Sequence, residues 1–123
     1  MLELKVTGIV DRVHEMAEGF PGSVIYASFH HDEVRRLRDR DPNASTLALI
    51  HGAPVDRARF ALDAHATHAG IHVEFANATF VAALHDAGAK VFVYTANEPA
   101  EIERLIACGV DGIISDYPDR VPR

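Results

Sequence analysis

Eight histidines in 123 residues are the first chemical feature of this sequence. An unperturbed imidazole titrates near neutrality and can serve as acid, base or metal ligand. His65, His68 and His72 stand three and four residues apart, with Glu74 just beyond. On one continuous helix that spacing would turn all three toward a zinc ion. Gly70 breaks such a helix and His72 falls in a strand-like run, so a solvated helix end is the better account. His30 and His31 follow an apolar run that ends at Ser28-Phe29, and His51 follows another. Of these, His30 is the first acid/base candidate and His51, also at a strand end, a second, while His31 begins a charged helix. There is no glycine-rich phosphate loop, Ser-His-Asp arrangement or Cys-x-x-Cys. Cys108, the only cysteine, excludes an internal disulfide framework. It stands on a last helical turn beside Leu105 and Ile106 and reads as a buried structural thiol.

The elements that must position these residues alternate along the chain. Leu2 to Val6 alternates apolar and polar residues, as a strand with Glu3 and Lys5 on its polar face would. A helix over roughly 9–18 follows, and Gly19-Phe-Pro-Gly22 breaks it. Ser23–Ser28 is a second strand, Asp32–Arg40 a charged helix whose inward face is Val34 and Leu37, and Thr46–Ile50 a third strand. Val55–His68 is predicted as a helix carrying Ala58, Leu62 and Ala66 along one side, terminated by Gly70. Ile71–Phe75 is the fourth strand. The next helix starts at Asn77 or Thr79, shows Phe80, Val81 and Leu84, and ends at Gly88. Val91 to Tyr94 has the β-branched and aromatic character of a strand buried on both faces. Asn97 can then cap a helix, with Pro99 in its first turn. Ile102, Leu105 and Ile106 line that helix, and Gly109 stops it. Asp111–Asp116 is the last strand.

Six strands alternating with five helices imply parallel pairing through right-handed crossovers. Units of one hand, taken in order, curl toward a barrel; a doubly wound sheet is the competing solution. The length implies a single domain over residues 1–123, and 48% hydrophobic residues suffice for a core. A formal charge of −6 argues against a nucleic-acid partner. No apolar run reaches membrane-spanning length. Met1 leads straight into an amphipathic strand, so the expected location is cytoplasmic.

The stretch Val91–Arg120, VFVYTANEPAEIERLIACGVDGIISDYPDR, resembles the C-terminal end of the glycerophosphodiester phosphodiesterase family. That family ends with a strand carrying Trp/Tyr-Thr-x-Asn, then a helix, then Gly-Val-Asp-Gly-Ile-x-Thr/Ser-Asp-x-Pro. The matching positions are Tyr94, Thr95, Asn97, Gly109, Val110, Asp111, Gly112, Ile113, Ser115, Asp116 and Pro118. Leu2-Glu3-Leu4-Lys5 looks like the family's Ile-Glu-Ile-Lys strand, Ala27-Ser28-Phe29 like its Ser-Ser-Phe strand, and Phe80–Gly88 like its penultimate helix. The resemblance favours the barrel: an incomplete TIM-type (β/α) barrel of about six parallel strands with outer helices. A complete one has eight strands and about 250 residues.

The resemblance implies hydrolysis of a small-molecule phosphodiester to glycerol 3-phosphate and an alcohol, with a divalent metal, Ca²⁺ or Mg²⁺. On it, Glu3 is a metal-binding carboxylate. Lys5 meets a phosphate oxygen, and Ser28, Phe29 and Tyr94 line the substrate rim. The family's His-Arg-Gly and Glu-x-Asp motifs, on its first two strands, have no counterpart, and Arg follows His nowhere. The acid/base histidines belong to that missing segment, and such assistance is worth about 10²–10⁴ in rate. The expectation is therefore weak or no activity from this chain alone. The alternative is a non-catalytic phosphate-ligand or protein-interaction module. Open strand edges imply a homo-oligomer, a dimer or larger.

Overall fold

Six short apolar runs become strands in the computed structural model, which describes residues 1–123. They are β1 (Leu2–Glu3), β2 (Ile25–Ser28), β3 (Ser45–Ile50), β4 (His68–His72), β5 (Lys90–Tyr94) and β6 (Gly112–Ile114). The helices between them are α1 (Val10–Ala17), α2 (His31–Arg40), α3 (Arg59–Asp63), α4 (Ala78–Asp86) and α5 (Pro99–Ala107); a 3₁₀ turn, Pro118–Arg120, follows β6. Every pairing is parallel and the order is β1-β2-β3-β4-β5-β6. A doubly wound sheet needs a reversal of strand order, and none occurs.

The sheet curls. In a flat sheet β2 and β5 would lie about 14 Å apart, three spacings of about 4.8 Å. Instead the ring of Phe29, just past β2, meets that of Tyr94 on β5 with centroids 5.9 Å apart. Ala27, Leu47 and Leu49 pack together with Phe92 and Tyr94 beside them. The result is a half-barrel, concave on one face and sheathed by helices on the other.

The convex face carries the main core. Phe80, Val81 and Leu84 of α4 and Ile102 and Leu105 of α5 pack on Ile71, Val91 and Val93, all essentially inaccessible. Burying each such side chain contributes about 1.5–3 kcal/mol. A smaller cluster of Leu4, Val10, Tyr26 and Leu37 seats α1 and α2. Cys108 is half-buried against the main core. Asn77 caps α4, its Oδ1 accepting from the Phe80 N–H at 2.9 Å. Pro99 opens α5, and Gly109, at φ +81°, closes it in the left-handed region.

Three expectations are corrected. The helix read over 55–68 is only Arg59–Asp63, and Gly70 lies inside β4 rather than ending a helix. Gly70 sits on the concave face, where a Cβ would come within 2.6 Å of Leu47 Cδ2 and 2.7 Å of Leu49 Cδ2. Its role is close approach, a use of glycine that mimics a breaker in one dimension. Consequently His65, at φ 51°, lies in the turn after α3, while His68 begins β4 and His72 ends it; the three never share a helix. Asn97 is not the cap of α5, a place taken by Glu98. Its Oδ1 accepts from Ser115 Oγ at 3.1 Å and the Asp116 N–H at 3.0 Å, tying the loop after β5 to the one after β6. Finally, β1 stops at Glu3 rather than Val6.

Candidate functional site

Strand register decides which side chains share the concave face. Glu3 pairs with Ala27, Ala27 with Leu47, Leu47 with His68, and His68 with Lys90. Because side chains alternate along a strand, Leu49, Gly70 and Phe92 form the next row, and His72 and Tyr94 the row after that. The face runs from His68 and Lys90 at the N-terminal ends of the strands to Tyr94 and His72 at the C-terminal ends. The C-terminal rim is where (β/α) barrels build their sites.

Tyr94 anchors that rim. Its hydroxyl donates to the Ile50 carbonyl at 2.8 Å, and its ring meets Phe29 edge-on. Burial, with the Glu3 carboxylate adding to it, pushes the Tyr94 phenol up to about 12. Glu3 and Lys5 are both exposed. Ser28 departs from the group. It is completely buried on the convex side, where its Oγ donates to the Leu4 carbonyl at 2.7 Å and accepts from the His30 N–H at 3.0 Å. Its hydroxyl is thus committed to holding the β1 and β2 ends together. His30 is the residue preceding α2, half-exposed, with its backbone N–H on Ser28. His31 turns inward instead, its Nε2 2.6 Å from the Leu49 carbonyl.

Two more histidines gather there: His51, which the sequence already places at the end of a strand, and His72, which it does not. The rings of His51 and His72 stack with centroids 4.2 Å apart, and His72 stands edge-on to Tyr94 at 5.5 Å. The register of β3 on β4 was the signal that would have paired them.

The family model for the glycerophosphoryl diester phosphodiesterase family matches residues 2–120. The chain belongs to this family. Glycerophosphodiester phosphodiesterases of Bacillus subtilis and Bacillus altitudinis are each 29% identical to it, over 103 and 119 residues. Those alignments cover 80% and 92% of this chain but 35% and 48% of the relatives, so the chain spans less than half of either. Among solved structures, an Oleispira antarctica phosphodiesterase in complex with the product sn-glycerol-3-phosphate superposes with a TM-score of 0.85. The identity is 21%, covering 98% of this chain and 52% of that one. A Thermotoga maritima glycerophosphodiester phosphodiesterase gives a TM-score of 0.70 at 18% identity, covering 94% and 54%. At such identities these two attest the fold, half of a phosphodiesterase barrel.

The hard cation that the family resemblance implies needs six or more oxygen ligands, several from the protein. Of the positions matched to that role this chain supplies one carboxylate, Glu3, which has no hydrogen-bond or ion-pair partner and projects from the exposed edge strand. The residues present do not complete a Ca²⁺ or Mg²⁺ site. No helix of the chain is long and apolar enough to cross a membrane.

Proposed function

We propose that this chain is the substrate-recognition half of a glycerophosphodiester phosphodiesterase barrel, weak or inactive in bond cleavage by itself. The observation that carries this reading is the edge-on contact of Phe29 with Tyr94 at the C-terminal rim of the concave face, within a chain of this family. Lys5, two residues past Glu3, offers an ammonium to a phosphate oxygen. Phe29 and Tyr94 give the glycerol or alkyl part an apolar wall. Glu3 offers one carboxylate to a shared divalent ion. Cleavage needs an acid for the departing alkoxide and a base for the attacking oxygen. His30, the residue after Phe29 and half-exposed ahead of α2, is the candidate in this chain for such a task.

The open edges imply association. Beside β1, the exposed Met16 and Phe20 with Met1, Leu2, Val13 and Val24 line an apolar hollow of about 570 Å³. A dimer or larger assembly would cover it.

A coupled assay for glycerol 3-phosphate release with Ca²⁺ or Mg²⁺, run beside calorimetric titration with glycerol 3-phosphate, tests the reading. The expected result is product binding with little turnover. Rapid turnover abolished by Glu3→Ala would make the chain a complete enzyme. Neither turnover nor binding would leave a non-catalytic interaction module.

A further inference from the structure

We propose that His51, His72 and Glu74 form a binding site for one transition-metal dication of the zinc class. Three features place these side chains together. Ile50 and Ile71 are paired in the β3–β4 ladder, so the next residues, His51 and His72, emerge side by side. Their rings stack at 4.2 Å with 16° between planes. Glu74 follows His72 by two residues. Its backbone N–H donates to His72 Nδ1 at 3.3 Å, and its carboxylate Oε2 lies 4.0 Å from the same nitrogen. One ligand atom from each of the three residues lies within 4.8 Å of the others.

The surroundings restrict the rings. Phe75 packs against both imidazoles at 5.6 and 6.2 Å, and Tyr94 stands edge-on to His72 at 5.5 Å. Holding the ligands before the ion arrives lowers the ordering cost of binding. Elsewhere histidines meet single carboxylates, as His85 with Asp111 and His65 with Asp39. Only at this rim do two imidazoles and a carboxylate converge.

The donor set selects the ion. Two imidazole nitrogens and one carboxylate oxygen suit Zn²⁺, Co²⁺ or Ni²⁺, whereas Ca²⁺ and Mg²⁺ take oxygens. Three protein ligands leave a fourth position for water or an anionic oxygen. The site uses neither Glu3 nor Lys5, so it stands or falls apart from the substrate-binding reading above.

The test is titration of the tag-free full chain with Zn²⁺ against a chromophoric chelator, and with Co²⁺ followed by its visible absorption. One equivalent should bind, and millimolar Ca²⁺ should not displace it. His51→Ala and Glu74→Gln should each weaken binding by at least about tenfold, the low end of the cost of losing even an outer-shell partner. His65→Ala, a distant exposed histidine, should change nothing. Glu74→Gln alters one exposed side chain and keeps the experiment decisive if His51→Ala fails to fold. Equal affinity in the Gln variant, or equal loss in the His65 variant, would mean scattered surface binding and would overturn the site.

Discussion

The ring of Phe29, one residue past β2, stands edge-on to the ring of Tyr94 on β5, centroids 5.9 Å apart at 87°. That contact spans the mouth of the half-barrel and skips two strands. It makes Tyr94 both a wall of the candidate site and a measure of how far the sheet is rolled.

Tyr94→Phe keeps the ring contact and deletes the hydrogen bond to the Ile50 carbonyl. The expected loss is about 1 kcal/mol, seen as a lower urea midpoint at unchanged slope. The native chain also carries a pH signature. Its phenol is raised to about 12, by burial first and Glu3 second. A raised acid is held protonated by the fold, so its contribution is complete below about pH 10, the unfolded value, and disappears between there and about 12. Absorbance at 295 nm should show one tyrosine ionising near 12, and Tyr94→Phe should remove it. Persistence of that transition in the variant would disconnect it from the rim.

His68 gives a signature of the opposite kind. It is 9% exposed at the N-terminal end of the concave face, edge-on to Phe92, with Nδ1 2.8 Å from Thr67 Oγ1. Burial lowers its pKa below 6.5, and the nearby Lys90 charge lowers it further, against a hydrogen bond to Thr46 that raises it. The fold therefore prefers neutral imidazole. Its contribution is present above about pH 6.5 and is lost as pH falls through the depressed folded value. Stability of the native chain should drop more steeply below pH 6 than that of His68→Gln. Parallel pH profiles for the two, by urea denaturation, would reject this.

Asp111 explains part of the Gly-Val-Asp-Gly pattern. Its Oδ2 accepts from the Val91 N–H at 2.7 Å and sits 2.8 Å from His85 Nε2. One carboxylate thus ties the start of β5 to the turn before β6 and to the end of α4. Burial works to raise its pKa, but the Val91 and His85 hydrogen bonds outweigh it and the net direction is down. Asp111→Ala leaves the Val91 N–H unpaired and should cost about 1–3 kcal/mol, read as a lower melting temperature. Asp111→Asn keeps an acceptor and should recover part of that loss; if Asn is as damaging as Ala, the carboxylate acts in some other way.

The barrel was legible because each βα unit carried its own local signals. Val91–Tyr94 reads as a strand and Gly109 as a helix stop, and each fills that place, while of the two starts open for α4, Asn77 is the one that caps it. The errors came where one residue type has two uses. Gly70 looks like a helix stop along the chain, but its real constraint is the Leu47 and Leu49 methyl groups on the neighbouring strand. Ser28 was grouped with the rim because Phe29 beside it belongs there, yet alternation turns adjacent residues to opposite faces. His51 and His72 are 21 residues apart, and only the β3–β4 register makes them neighbours. Contacts between strands were invisible to any reading confined to spacing.

Lys5 allows a sharp test of the recognition role, because the chain holds a second lysine as its own control. Only Lys5 and Lys90 occur. Lys5 follows β1 toward the C-terminal rim, while Lys90 begins β5 at the opposite end of the same face. A charge-assisted hydrogen bond to phosphate is worth about 1.5–3 kcal/mol, or about 10- to 100-fold in affinity. Lys5→Ala should weaken glycerol 3-phosphate binding within that range and flatten its salt dependence. Lys90→Ala removes the same formal charge and should leave affinity nearly unchanged. Equal losses in the two variants would reduce Lys5 to a contributor to overall charge, and the phosphate would then have to be held elsewhere on the rim.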